Sequence, residues 1–339
     1  MRLRSLKTIL LLLWAALLLA DGCRWLPGSP GLFRQSRLLM GTIVEITVVS
    51  DDEEKAHRDI GDAFQEIARI ESLLGAEHGG EITRLNRMGF PGGFQVSEEV
   101  FGVISRAAEL GREMEGSFDV TLGPLMSVWS FGEGSRVPSR AMVEAARVTA
   151  GWDGVVMDEG SRRVAFTRSG ASLDLGGIGK GYAVDRAASL LKDRGVEAGI
   201  VNAGGDLSMW GRKPGGSLWR VGIQHPRRPD ALLGRLLLTD RAVVTSGDYE
   251  RNFTAGGRLY HHILDPNTGY PAEGTRSVTV AAATAEAADA YATGIFVMGP
   301  DKGRRFLEGH PEVDGIIIDG EGRLFVSSRL KGVFQEENR

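Results

Sequence analysis

Apolar residues recur at two different periods along this chain, and the switches between them lay out its elements. From Thr42 to Val49 ("TIVEITVV") β-branched residues partly alternate with polar ones, which predicts a strand. From Glu53 to Leu74 the period lengthens: Ala56, Ile60, Phe64, Ile67, Ile70 and Leu74 mark one face of a long amphipathic helix. Ser97, Glu98 and Glu99 make a second helix start, with Val100, Val103, Ile104, Ala107, Leu110 and Met114 on the buried side. A third helix is predicted from Arg140 to Val148.

Shorter pieces alternate in the second half. "ASLDL" (171–175) is expected as a strand, Lys180–Asp193 as a helix and "AGIVNA" (198–203) as a strand. "WRVGIQH" and "GRLLLTDRAVVTS" continue in β fashion, "RSVTVAAA" precedes a helix from about Ala285 to Val297, and "DGIIID" and "GRLFVS" form a hairpin around Gly320–Glu321–Gly322. No repeat of 20–50 residues and no low-complexity tract interrupts this order. The fold class is α+β, with mixed, largely antiparallel sheets and packed helices rather than strict βαβ units. With 339 residues, 42% hydrophobic and 25% charged, the chain has ample material for a core. A net charge of −4 without a basic stripe speaks against a nucleic-acid partner.

The first 23 residues stand apart. Arg2, Arg4 and Lys7 precede an uncharged run, Thr8 to Ala20, too short to span a bilayer comfortably but the right length for the apolar region of a secretory signal. The run leads to Cys23, the single cysteine, which has no partner for an internal disulfide. Cys23 is either an incidental thiol near a cleavage site or a lipid-modified residue, since "LADGC" resembles the bacterial lipobox apart from Asp21. The expectation is a signal segment over 1–23, a linker over 24–31, and a protein on the extracytoplasmic (periplasmic) side, lipid-anchored to the membrane through Cys23.

Two glycine-rich stretches follow apolar strands: "DLGGIGKGYAVD" (174–185) and "VNAGGDL" (201–207). The first matches neither a P-loop nor the Rossmann fingerprint, because Gly177, Gly179 and Gly181 are spaced by two and no Ser or Thr follows Lys180. Either the loop and the helix start beyond it take an anion, aided by Lys180, or the glycines serve only a tight turn. Asp289 and Thr293 are four residues apart on a predicted helix and share a face. Both offer oxygen, the donor that a hard cation such as Mg²⁺ takes; local capping is the simpler alternative. His261 and His262 point to opposite sides if extended, and no histidine or cysteine pattern suggests zinc. "DPNTG" (265–269) is a turn signal.

Taken together these motifs resemble the ApbE family of FAD:protein FMN transferases. The resemblance runs in order through "RLLMGTIVEI", "EITRLN", "GSFDVTLGPLMSVWSFG", "DLGGIGKGYAVD", "VNAGGDL", "TSGDYERNF", "YHHILDPNTGYP" and "AADAYATGIFVMG". It implies a single catalytic domain over 32–335. It also implies Mg²⁺-dependent cleavage of FAD, with FMN passed to a threonine or serine hydroxyl of a partner protein and AMP released. The resemblance further implies acceptors that are subunits of Rnf and Na⁺-translocating quinone reductase pumps. By motif, Met40, Ser117, Phe118, Asp119, Asp174, Lys180 and Ile263 would contact FAD. Asp289 and Thr293 would hold Mg²⁺ through side chains and Gly177 through its carbonyl, with Asp289 and His262 as the catalytic pair, His262 accepting the hydroxyl proton. Two departures stand out. Ala76 occupies a place where the family often has an aromatic ring on the cofactor, so stacking would have to come from elsewhere, for example Phe118. Ala292 stands where some members carry a second acid. Two rival functions keep the same site: an FAD pyrophosphatase giving FMN and AMP, and a non-catalytic FAD-binding lipoprotein.

Overall fold

The computed structural model describes residues 30–75, 79–131 and 134–337. The signal segment, Cys23, most of the expected linker and Ala76 lie outside them. A central eight-stranded sheet runs in the order Gly31–Leu39, Thr42–Ser50, Gly199–Ala203, Asp206–Trp210, Arg241–Gly247, Thr275–Ala282, Asp314–Asp319, Leu324–Val326. Every neighbouring pair is antiparallel. Its middle is covered on both faces, so its strands alternate between two cores rather than between core and water. Val44, Ile46, Val201, Val244, Val278 and Val280 face the main core. Met209, Val243, Ala281 and Ile316 face a second core, closed by a three-stranded sheet of Trp219–His225, Arg228–Leu238 and Phe334–Glu336.

Three helices, Glu53–Leu74, Gly179–Asp193 and Ala285–Gly309, close the main core. The first buries all six residues that the periodicity marked, and its start is capped by Asp52 accepting from the Lys55 amide at 2.9 Å. Ser97 caps helix Glu98–Glu113 by accepting from Val100. The long C-terminal helix is broken at Gly299 (φ 77°, ψ 172°), with Pro300 opening the second piece, close to the end expected at Val297. A side layer packs helices Gly123–Val128 and Arg140–Arg147 around Leu125, Trp129 and Val143.

Some expectations shift. Residues 171–175 form no strand. They run extended and are held by Asn86, which donates to the Leu173 carbonyl and accepts from its amide, and by the Asp174 amide on the Val120 carbonyl. The apolar pattern there marks burial of Ala171, Leu173 and Leu175, not a ladder. The first strand starts at Gly31, the last residue of the expected linker. Strands Val155–Asp158 and Arg163–Phe166 and the hairpin Asn252–Ala255/Arg258–His261 were not anticipated. Among the described residues no helix is long and apolar enough to cross a membrane.

Candidate active site

One end of the central sheet gathers the chemistry. Two tight turns lie there, Met40–Gly41 and Gly204–Gly205, with the end of strand Arg241–Gly247 and the start of Thr275–Ala282 beside them. Both turns use two residues at positive φ, the type I′ geometry that matches strand twist. In the second, glycine is required: Gly204 has φ 63°, and a Cβ there would lie 2.3 Å from Thr42 Oγ1. Met40 (φ 53°) is a bulky residue in the left-handed region, and its amide donates to Glu71 Oε1 at 2.7 Å.

The Gly204–Gly205 turn delivers Asp206, which is 1% exposed, to the Lys180 ammonium; Nζ donates to Oδ2 at 2.5 Å. Asp206 Oδ1 is buried with no hydrogen-bond partner. Burial pushes the Asp206 carboxyl up, against the pull of Lys180. Burial also works against the Lys180 charge, but Asp206 and Asp289 outweigh it and hold the ammonium protonated. Asp289, 3% exposed, accepts from the Gly181 amide at 3.1 Å. Its carboxyl is pushed up to about 7, first by burial and then by the Asp206 charge, with Lys180 opposing.

Helix crossing explains how Asp289 gets there. A Cβ on Gly181 would sit 2.1 Å from the Ala285 carbonyl, so only glycine lets the two helices meet at this point. Asp185, at the end of the same motif, accepts from the Ala285 and Glu286 amides at 2.9 and 2.8 Å and anchors the start of the helix that carries Asp289. Thr293, one turn on, lies 3.4 Å from Ser246 Oγ through its hydroxyl, and a Cβ on Gly177 would be 3.3 Å from that same hydroxyl. Thr293 and Gly177 are therefore neighbours, one turn along the helix from Asp289.

The glycine loop is less open to an anion than its composition implies. The amide of Gly176 is bonded to Asp174, those of Ile178 and Gly179 to the Leu175 carbonyl, and that of Gly181 to Asp289. Lys180, rather than a broad cradle of N–H groups, is its main charge. Phe118 is 2% exposed and packs under Gly177 and Gly294, so its ring is part of the core rather than an open face. Asp119 caps the turn Val120–Leu122 by accepting from Thr121, and burial raises its carboxyl. Asp174 joins it through the bond to the Val120 carbonyl, and Ser117 leads into it, half-buried.

The two histidines differ in setting: His261 ends strand Arg258–His261 and His262 lies in the bend beyond it, so strand alternation does not apply to the pair. His261 faces inward, with Nε2 on the Ala272 carbonyl at 2.9 Å and its ring edge-on to Phe296. The His262 amide donates to the Arg251 carbonyl at 3.1 Å, and its ring feels the Lys180 charge. Burial, then the charges of Arg251, His261 and Lys180, lower His262 to about 4, so it is neutral at working pH. Its Nδ1 is buried without a partner. Ile263 is buried beside it in the main core. Sequence reasoning missed Asp206 as a site residue although it quoted the loop; the missing signal was that a carboxylate directly after a two-glycine turn would meet a lysine 26 positions earlier. Glu250, at the exposed mouth, was missed too; its carboxyl is raised by the surrounding packing and by Asp206, against Lys180.

The donor set suits a hard divalent cation. Two buried carboxylates face one ammonium, leaving negative charge in excess, and Asp206 Oδ1 is an oxygen without a partner. Oxygen donors from Asp289, Thr293 and Gly177 match Mg²⁺ chemistry. The fold is an antiparallel α+β domain with paired buried carboxylates and a lysine at one sheet end. The chain belongs to the ApbE family, whose model matches residues 40–317. It is 32% identical over 301 residues to an FAD:protein FMN transferase of Klebsiella pneumoniae (strain 342), covering 88% of this chain and 92% of that one. Among solved structures, the apbe protein from Thermotoga maritima superposes with a TM-score of 0.84 at 34% identity, covering 91% of this chain and all of that chain. Flavin Transferase ApbE from Vibrio cholerae gives a TM-score of 0.78 at 28% identity, over 90% and 99% of the two chains.

Proposed function

We infer that this chain is an FAD:protein FMN transferase, the activity carried in the names of its relatives. The observation that supports it most is Asp289 set beside the Lys180–Asp206 pair, with Thr293 one turn on against Gly177, in a chain whose family match spans all of them. Asp289, Thr293 and the Gly177 carbonyl would hold Mg²⁺, which would neutralise charge on the diphosphate. Lys180 supplies a fixed positive charge to the same diphosphate. Met40, Ser117, Asp119, Asp174 and Ile263 would bind and orient FAD, as the family resemblance implies.

A threonine or serine hydroxyl of the acceptor attacks the phosphorus of the FMN half. The new P–O bond forms as the bond to the AMP phosphate breaks, and AMP leaves with the pair of electrons. His262 would take the hydroxyl proton: its Nδ1 has no hydrogen-bond partner and it is uncharged at working pH, though burial that lowers it to about 4 also makes it a weak base. Acceptors of the Rnf or Na⁺-translocating quinone reductase type, and attachment to the membrane through Cys23 on the extracytoplasmic side, complete the proposal. The anchor rests on the N-terminal sequence pattern and the acceptor type on the family resemblance.

The test incubates purified protein with FAD and Mg²⁺, with and without an acceptor fragment carrying a candidate threonine. Flavin fluorescence that stays with the acceptor after denaturation, together with AMP release, is expected. AMP and free FMN without labelled acceptor would replace transfer by hydrolysis, and unchanged FAD would leave only binding.

A further inference from the structure

We propose that Arg227 is a positioning residue for the transfer reaction, acting through Asp248 to hold segment 248–251 against the active site. The proposal rests on the transferase reading above. Asp248 is buried, and Arg227 grips it with two parallel bonds, Nη1 to Oδ1 and Nη2 to Oδ2, both 2.6 Å. Arg227 lies far from the chemistry in sequence and layer. It sits between strands Trp219–His225 and Arg228–Leu238 of the outer sheet. Its own turn is preset: His225 Nδ1 accepts from the amides of Arg227 and Arg228, both at 3.1 Å.

Segment 248–251 leaves the central sheet at the site. The Asp248 amide donates to the Arg276 carbonyl at 3.0 Å, and the Tyr249 ring lies so close over Gly247 that a Cβ there would be 2.4 Å away. Two residues further, the Arg251 carbonyl receives the His262 amide at 3.1 Å, and the Arg251 guanidinium lies near Gly41 of the Met40 turn. Glu250 between them feels Lys180 and Asp206. The segment thus has one end clamped by Arg227 and the other joined to the backbone of His262.

Asp248 is buried but the Arg227 side chain is 40% exposed, and an ion pair with one partner half in water contributes little net stability to a fold. The outer sheet already has an apolar core in Trp219, Val221, Ile223 and Leu236. What a bidentate fork adds is fixed geometry. Displacement of a reacting group by about 1 Å costs on the order of 10²-fold in rate.

The experiment compares the full chain with Arg227→Met, Arg227→Lys and the double variant Arg227→Met/Asp248→Asn, which removes both charges together. Arg227→Met is expected to lower kcat about 10–100-fold while FAD affinity stays within about twofold. Added guanidinium ion should restore part of that loss, and Arg227→Lys should fall between. The double variant should fold yet remain slow. Amide hydrogen exchange at residues 248–262 should quicken in every variant. Wild-type kcat in the double variant, or a loss matched by equal loss of FAD binding without guanidinium rescue, overturns the proposal. Unchanged exchange overturns it as well, even if the wild type transfers no FMN; that last result would count separately against the transferase reading.

Discussion

Asp289 carries more of the proposed chemistry than any other side chain, and its surroundings make it testable alone. Asp289→Ala should abolish turnover while weakening FAD binding much less; equal activity in the mutant would remove it from the mechanism. Its carboxyl is pushed up to about 7, so folding of the metal-free protein is linked to pH with a definite sign. A raised acid contributes stability that is full below its unfolded pKa of about 4 and is lost as pH rises through about 7. The metal-free melting temperature should therefore fall across that window, and Asp289→Asn should flatten the fall. Protons and Mg²⁺ compete for the same oxygens, so the apparent Mg²⁺ affinity should tighten as pH rises toward about 7 and level off above it. Calorimetry across pH reads both. His262, lowered to about 4, adds no limb to the activity profile in that range.

Among the elements, the crossing of helices Gly179–Asp193 and Ala285–Gly309 sets the site. Gly181→Ala would press a methyl group into the Ala285 carbonyl and should cost about 3 kcal/mol of stability, with Mg²⁺ affinity falling too; denaturant unfolding measures the first. An undisturbed variant would mean that the helices do not need this approach. At this scale much was legible in the sequence. The faces of helices 53–74 and 98–113 and the Asp289–Thr293 spacing follow from local periodicity, which needs no knowledge of distant contacts. Asp206 did not, because its role depends on a turn that folds it under a lysine on another element. Nor did the commitment of the loop amides to Asp174, Leu175 and Asp289, which made a glycine run look more like a phosphate cradle than it is. Residues 171–175 carry a strand's apolar pattern but are tied down by Asn86 instead of a neighbouring strand.

For the molecule as a whole, two cores share one sheet, and the site lies at the sheet end where turns from both halves of the chain meet. Function at a membrane surface would follow from the N-terminal 23 residues. Cys23→Ser should move the protein from the membrane fraction to the soluble extracytoplasmic fraction without changing turnover on FAD; an unchanged distribution would reject the lipid anchor. The most direct test of the central claim is mass spectrometry of an acceptor fragment after incubation with the full chain, FAD and Mg²⁺. The account predicts a gain equal to FMN less one water, located on a threonine or serine, with one AMP released per label and none from Asp289→Ala. An unmodified acceptor beside released AMP, or labelling that persists in Asp289→Ala, would contradict it.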